Sequence, residues 1–282
     1  MHTVFDSRAC HLGEGALWHP QRRMLFWFDI LGQRLLGRGE GGAYEAQLGE
    51  IHSAAAWIDR DHLLLASETG LWRFHIDSRC SVRLAQIEAD ERATRSNDGR
   101  ADPWGGFWIS TMGKGAEPGA GAIYRYRQGK LARLRAGLTI PNSICFAPDR
   151  GHAYFSDTVR RMLWRWSLDG DGWPAGEPVL WKDFAQEGLN PDGAVTDAAG
   201  AVWVAHWGAA CVNRYGPDGR CLESRRLPVP QPSCPALGEG RLFVTTAQQG
   251  LAQDALAAYP LSGQTFDLGA VAHGRQEPAF IP

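Results

Sequence analysis

The chain has 282 residues, with 29 Lys and Arg against 31 Asp and Glu for a formal net charge of -2, and 44% of its residues are hydrophobic. That length suits one large all-β unit as readily as two small domains, and a near-balanced charge in which neither sign runs in blocks gives no support for a nucleic-acid or anionic-membrane surface. Met1-His2-Thr3-Val4-Phe5-Asp6 has no basic segment leading into an apolar one, and nowhere do eighteen apolar residues stand together, so the chain reads as soluble, unexported and cytoplasmic, with a small neutral or mildly anionic partner.

In chain order, short apolar runs start at Leu25, Leu63, Phe107, Ala153, Val202 and Leu242, at spacings of 38, 44, 46, 49 and 40 residues. A period of this size, with several short strands and turn signals in each copy, predicts an all-β fold: a six-bladed β-propeller over residues 1–282, a single domain with a central channel. The second copy shows the pattern. Strands are predicted over 54–58, 63–67 and 71–76, with turns at Asp59-Arg60-Asp61 and Glu68-Thr69-Gly70. Leu71, Arg73 and His75 alternate with Trp72, Phe74 and Ile76, the period of a strand with one buried face. Asp-Gly pairs at 169–170, 171–172 and 218–219 mark further turns.

Thirty-four Gly and 16 Pro leave little room for long helices. The twelve tryptophans are read as filler between blades rather than as a ligand surface. Residues 2–6 are expected to add a strand to the last blade and close the ring. Cys10, Cys80, Cys145, Cys211, Cys221 and Cys234 include no Cys-x-x-Cys pair and read as reduced thiols. No coiled-coil pattern or long apolar patch is present, so a monomer or weak homo-oligomer is expected.

One polar position recurs ten or eleven residues ahead of four of the apolar runs, and it holds Glu14, Asn97, Asn142 and Asp192. In a ring of repeats, equal offsets put these side chains on one rim of the channel, a recipe for a hard-cation site. The remaining entries to inner strands, His52-Ser53-Ala54 and Pro232-Ser233-Cys234, are expected to add hydroxyls or an imidazole. Oxygen donors without a His/Cys cluster suit calcium, magnesium or manganese better than structural zinc, although geometry still admits zinc. Two carboxylates balance one divalent ion. Asn and Asp beside Pro or Gly are also ordinary turn formers, but four polar residues at one register, including Glu14, favour the site.

The segments Leu12-Gly13-Glu14-Gly15, Arg95-Ser96-Asn97-Asp98-Gly99, Ser110-Thr111-Met112, Ile140-Pro141-Asn142-Ser143 and Pro191-Asp192-Gly193 resemble those of the regucalcin (senescence marker protein)/gluconolactonase family, in order, from about Leu12 to Gly250. The resemblance implies a six-bladed propeller with one divalent cation in the channel and hydrolysis of sugar-derived lactones. By that resemblance Glu14, Asn142 and Asp192 are metal ligands, Arg95 and Asn97 bind substrate near the metal, and Glu117 contacts sugar hydroxyls. Ser143 stands where some relatives have Gly. His206 and Trp207 end the strand after Asp192; His206 is read as a solvated loop residue in preference to a substrate contact or proton carrier in the pocket, and Trp207 as a roof to the site.

Lactone hydrolysis needs a polarised carbonyl, a water nucleophile and stabilisation of an oxyanion, all of which a divalent cation supplies. No Gly-x-Ser-x-Gly elbow occurs. Asp192 is therefore read as both ligand and general base, kept ionised by the cation, with Arg95 and Asn97 orienting the ring. Two alternatives share the frame: a metal-dependent phosphotriesterase, against which Arg95 and the Glu117 loop argue, and a non-catalytic calcium-binding propeller, which has no reason to gather carboxylates inside its channel.

Overall fold

A computed structural model describes residues 2–282. It contains six four-stranded antiparallel sheets and one short helix, Gln253–Ala258. The innermost strands are Gly13–His19, His52–Asp59, Thr94–Ala101, Pro141–Phe146, Asn190–Thr196 and Pro232–Gly238, one for each of blades one to six. The predicted apolar runs form the second strand of each blade. These runs are apolar without alternation because a propeller blade is covered on both faces: Leu25, Phe26, Trp27 and Phe28 are all fully buried.

Six apolar clusters hold the ring, and each lies at one junction between neighbouring blades. Phe26, Phe28 and Leu63 share the cluster between blades one and two, and Trp108, Ile144 and Phe155 that between blades three and four. Trp18, Trp27 and Phe243 join blades six and one. Trp27, Trp108 and Trp203 are among the largest fully buried side chains, so these tryptophans fill the space between blades as expected, whereas Trp72, Trp104 and Trp173 belong to none of the six clusters. The same arrangement corrects the one-faced reading of 71–76. Leu71 is buried towards blade three while Phe74 and Ile76 are buried towards blade one.

The ring closes through the strand Thr3–Asp6, which pairs antiparallel with Thr265–Ala270 as the outer strand of blade six. Residues beyond 270 do something the sequence did not announce. They cross the channel mouth at the downstream ends of the inner strands: Val271 N donates to Gly240 O at 2.8 Å, Ala198 N to His273 O at 2.9 Å, Phe280 N to Trp57 O at 2.9 Å and Ile281 N to Gly105 O at 2.9 Å. From this strap the buried Glu277 reaches in to pair with Arg100 on the blade-three inner strand. All six cysteines are free, four of them buried. Among the described residues no helix is long and apolar enough to cross a membrane.

Candidate active site at the open mouth

At the opposite, upstream end, every inner strand carries a one-residue bulge. In blade one Glu14 pairs with Phe28 and Leu17 with Phe26, so three steps on one strand face two on the other. Equivalent shifts occur between Ser96 and Gly99, Asn142 and Cys145, Pro191 and Ala194, and Pro232 and Pro235, with a shorter version at His52 and Ala54. A bulge re-aims consecutive side chains. It also explains why the sequence offsets are not identical: Glu14 and Asn142 are the last paired residues before the bulge, whereas Asn97 and Asp192 are the first unpaired ones. Two adjacent positions, not one register, supply the rim.

The residue after Glu14 is Gly15 at φ +60°, where a Cβ would stand 2.3 Å from Ser53 O. The residue after Asn142 is Ser143 at φ +59°, a left-handed conformation that disfavours most side chains. Its hydroxyl compensates by donating to Asp192 O on the next blade and accepting from Ser156 Oγ at 2.9 Å. Ser233 repeats the device, donating to Gly13 O. Ser53 Oγ donates to Ser96 Oγ at 2.8 Å and His52 Nδ1 lies 3.0 Å from Glu50 O. The expected hydroxyls of blades two and six therefore tie neighbouring blades together, while the His52 imidazole is bound within its own segment.

The rim opens into a pocket of about 580 Å³ whose lining includes Glu14, Arg95, Asn97, Asn142, Thr158 and Asp192, with Leu12, Leu31, Met112, Ile140 and Trp207 as its apolar part. A continuous hydrogen-bond chain orders the polar side. Arg95 Nη1 donates to Asn97 Oδ1 at 2.9 Å, Asn97 Nδ2 to Asn142 Oδ1 at 2.9 Å, Asn142 Nδ2 to Thr158 Oγ1 at 2.8 Å, and Thr158 Oγ1 to Pro191 O at 2.7 Å. Each donor fixes the next amide, leaving one Asn142 Oδ1 lone pair free for a ligand.

Electrostatically this mouth is unfavourable as it stands. Burial, followed by the Asp98 carboxylate, pushes Glu14 up to about 8. Burial and then Glu14 itself raise Asp192 well above the usual carboxylate range, against the opposing pull of Arg95. Asp98, buried one residue past Asn97, is raised by burial as well and accepts Ile144 N at 2.7 Å. Among the described residues no point gathers three or more His, Cys, Asp or Glu side chains for a metal ion. The set here reaches three oxygen-bearing groups through the Asn142 carboxamide. Two carboxylates, of which Glu14 raises Asp192, beside an oriented amide oxygen, fit a hard divalent cation in donor type and charge.

The structure brings together Glu14, Arg95, Asn97, Asn142 and Asp192. It does not bring Glu117 to them: that side chain is exposed, and its Oε2 accepts Gly115 N at 3.1 Å. Its short connection folds the carboxylate back on itself, while Lys114, Gly115 and Ala116 of the same loop line the pocket. Lys114 pairs with Glu68 Oε2 at 2.5 Å. His206 is no solvated loop residue. It is buried behind blade five with Nε2 2.9 Å from Tyr215 Oη, and burial lowers it to about 3. Trp207 does reach the pocket. Sequence reasoning missed Asp98, Lys114, Thr158 and Gln231. Asp98 reads as an ordinary Asp-Gly turn, and the others carry no motif of their own.

Known proteins match this frame end to end. A family model described as SMP-30/Gluconolactonase/LRE-like region matches residues 12–248. A candidate sugar lactone lactonase of Rhizobium meliloti (strain 1021) is 42% identical over 283 residues, covering 98% of this chain and 96% of that protein. The L-arabinolactonase of Azospirillum brasilense is 39% identical over 277 residues, covering 94% and 90%. The crystal structure of a calcium-binding protein, regucalcin, from Agrobacterium tumefaciens superposes with a TM-score of 0.96 at 38% identity, covering 99% of this chain and 97% of that one. The rim from Glu14 to Asp192 lies within the matched residues, and the chain belongs to the SMP-30/gluconolactonase/LRE-like family.

Proposed function

We propose that this protein hydrolyses the internal ester of sugar-derived lactones, pentono- or hexonolactones, to the open sugar acid, with a divalent cation held by Glu14, Asn142 and Asp192. The observation that carries the reading is the convergence of two buried-side carboxylates and an oriented carboxamide on one half-polar pocket of about 580 Å³. The names of the lactonase relatives support the substrate class.

A bound divalent cation, calcium, magnesium, manganese or zinc, polarises the ester carbonyl and balances the charge that develops on its oxygen. The rest falls to the chain. Arg95, whose Nη1 is held by Asn97 Oδ1 at 2.9 Å, presents its remaining donors to ring hydroxyls, and Asn97, whose two amide protons go to Asn142 Oδ1 and Pro141 O, fixes that guanidinium over the rim. Asp192 takes a proton from the attacking water as the water oxygen bonds the carbonyl carbon, and returns it to the ring oxygen as the C–O ring bond breaks, so that this oxygen leaves as a hydroxyl. Trp207 and Leu31 cover the apolar face of the sugar and limit bulk water.

The test is a panel of aldonolactones, with an organophosphate ester in parallel, assayed before chelation, after chelation and after metal add-back. Turnover of aldonolactones that chelator removes and one metal restores is expected. Turnover indifferent to chelator, or confined to the phosphoester, sinks the proposal.

A further inference from the structure

We propose that Gln231 is a specificity-determining residue that accepts a hydrogen bond from a substrate hydroxyl on the blade-six side of the pocket, an inference that rests on the lactonase reading above. Gln231 immediately precedes the inner strand of blade six, lines the pocket and is only 7% exposed. Its Nε2 donates to Gln249 O at 3.0 Å, and its main-chain carbonyl accepts Ala247 N at 3.1 Å. The amide is thereby oriented, since a flipped side chain would set its oxygen against the Gln249 carbonyl. The remaining atom, Oε1, is buried and has no hydrogen-bond partner. A buried acceptor left unmet is destabilising, and because Gln231 itself lines the pocket, a ligand seated against that wall is placed to supply the donor.

The chemistry of that donor is restricted. A hydroxyl satisfies Oε1, whereas a carboxylate, sulfonate or phosphate at the same point brings a second acceptor and is rejected. An apolar substituent leaves the oxygen unmet, the situation in which a polar site discriminates most strongly. Position adds to this. Blade six lies across the six-membered ring from blade three, which carries Arg95 and Asn97. The candidate cation ligands are on blades one, four and five. Gln231 thus grips the sugar from the side opposite the donors of Arg95, so the two sides together read a polyhydroxylated ring.

The experiment compares a pentono-1,4-lactone with its singly deoxygenated analogues as substrates, and the corresponding 1,4-anhydropentitols as non-hydrolysable ligands in titration calorimetry, for the wild type, Gln231→Met and Gln231→Glu. In the wild type, one deoxy position is expected to weaken binding and kcat/KM by about tenfold, the worth of one hydrogen bond. That gap closes in Gln231→Met, through KM rather than kcat, and persists in Gln231→Glu, which keeps an acceptor. The melting temperature of free Gln231→Met stays near that of the wild type, because the lost bond to Gln249 is offset by removal of an unmet acceptor.

A gap that survives in Gln231→Met, or equal losses on every analogue, overturns the assignment while aldonolactone turnover leaves the lactonase reading intact. The full binding pattern without any turnover spares Gln231 and removes the lactonase reading. Absence of both binding and turnover removes both.

Discussion

Replacing Glu14 by Gln is expected to stabilise the cation-free protein while abolishing its response to divalent cations. Glu14 is raised to about 8 from an ordinary 4.5 by burial and by Asp98. Holding it protonated at pH 7 therefore costs about 3 kcal/mol, at about 1.4 kcal/mol for each pH unit between the ordinary value and 7. Glu14 keeps part of its surface open to the pocket, and water there screens the charge, so about 1–3 kcal/mol is the expected gain from Gln. In a chain of this size that corresponds to a rise in melting temperature of about 3–10 °C. The sign has a pH signature. The raised group binds more protons folded than unfolded between about 4.5 and 8, so chelated wild type gains stability as pH falls through that window, and Glu14→Gln flattens its share of the trend. Calorimetric melts in chelator and in excess calcium check all of this: the wild type should gain about 3 kcal/mol at a hundredfold excess over Kd, and the variant almost nothing. A Glu14→Gln protein that melts lower in chelator, or keeps the cation response, refutes the argument.

Three other perturbations follow from single contacts. Ser143→Ala keeps the left-handed strain at φ +59° and loses the bond to Asp192 O, so in urea unfolding it should be about 1 kcal/mol less stable than Ser143→Gly, which relaxes the backbone; equal stabilities would contradict this. Glu277→Met leaves Arg100 buried with only the Ile144 and Ala194 carbonyls as hydrogen-bond partners, and a loss of about 3 kcal/mol is expected, with less than about 1 kcal/mol counting against a buried pair. His206 is lowered by burial from 6.5 to about 3. The unfolded chain takes up that proton first, so its contribution to stability is present above pH 6.5 and is lost as pH falls towards 3; the stability of wild type relative to His206→Gln should fall by up to about 1.4 kcal/mol per pH unit across that range, and a flat difference would disprove a neutral buried imidazole.

The blades were legible because burial on both faces makes their second strands continuously apolar, a signal that repeats at 38 to 49 residues whatever the loops do. The rim residues were legible for a related reason: Glu14 and Asn142 on one hand, Asn97 and Asp192 on the other, keep fixed offsets from those strands because the bulge recurs in every blade. What sequence spacing does not encode is where a flexible connection turns its side chains. Glu117 shares a loop with Lys114 yet points back to its own backbone. The C-terminal strap was invisible too, since Val271 through Pro282 carries no strand period and is held by bonds to five different blades.

Ring closure and the rim belong to one physical argument. Glu14 and Asp192 sit on blades one and five, with blade six between them, so the distance across the candidate cation site is set by how firmly blade six is held. Its outer strand is Thr3–Asp6, only seven residues ahead of Gly13. Asp6 is clamped by Arg8 at 2.9 Å and Arg38 at 3.3 Å, the second from the third strand of blade one. The seam therefore ties blade six to blade one through the main chain, through these charges and through the Trp18, Trp27 and Phe243 cluster. Two mutually repelling carboxylates would spread an open arc of sheets apart. In a ring closed at this seam and packed at six apolar junctions, their repulsion has no soft direction in which to relax, and it remains stored at the mouth, where a cation or a proton relieves it.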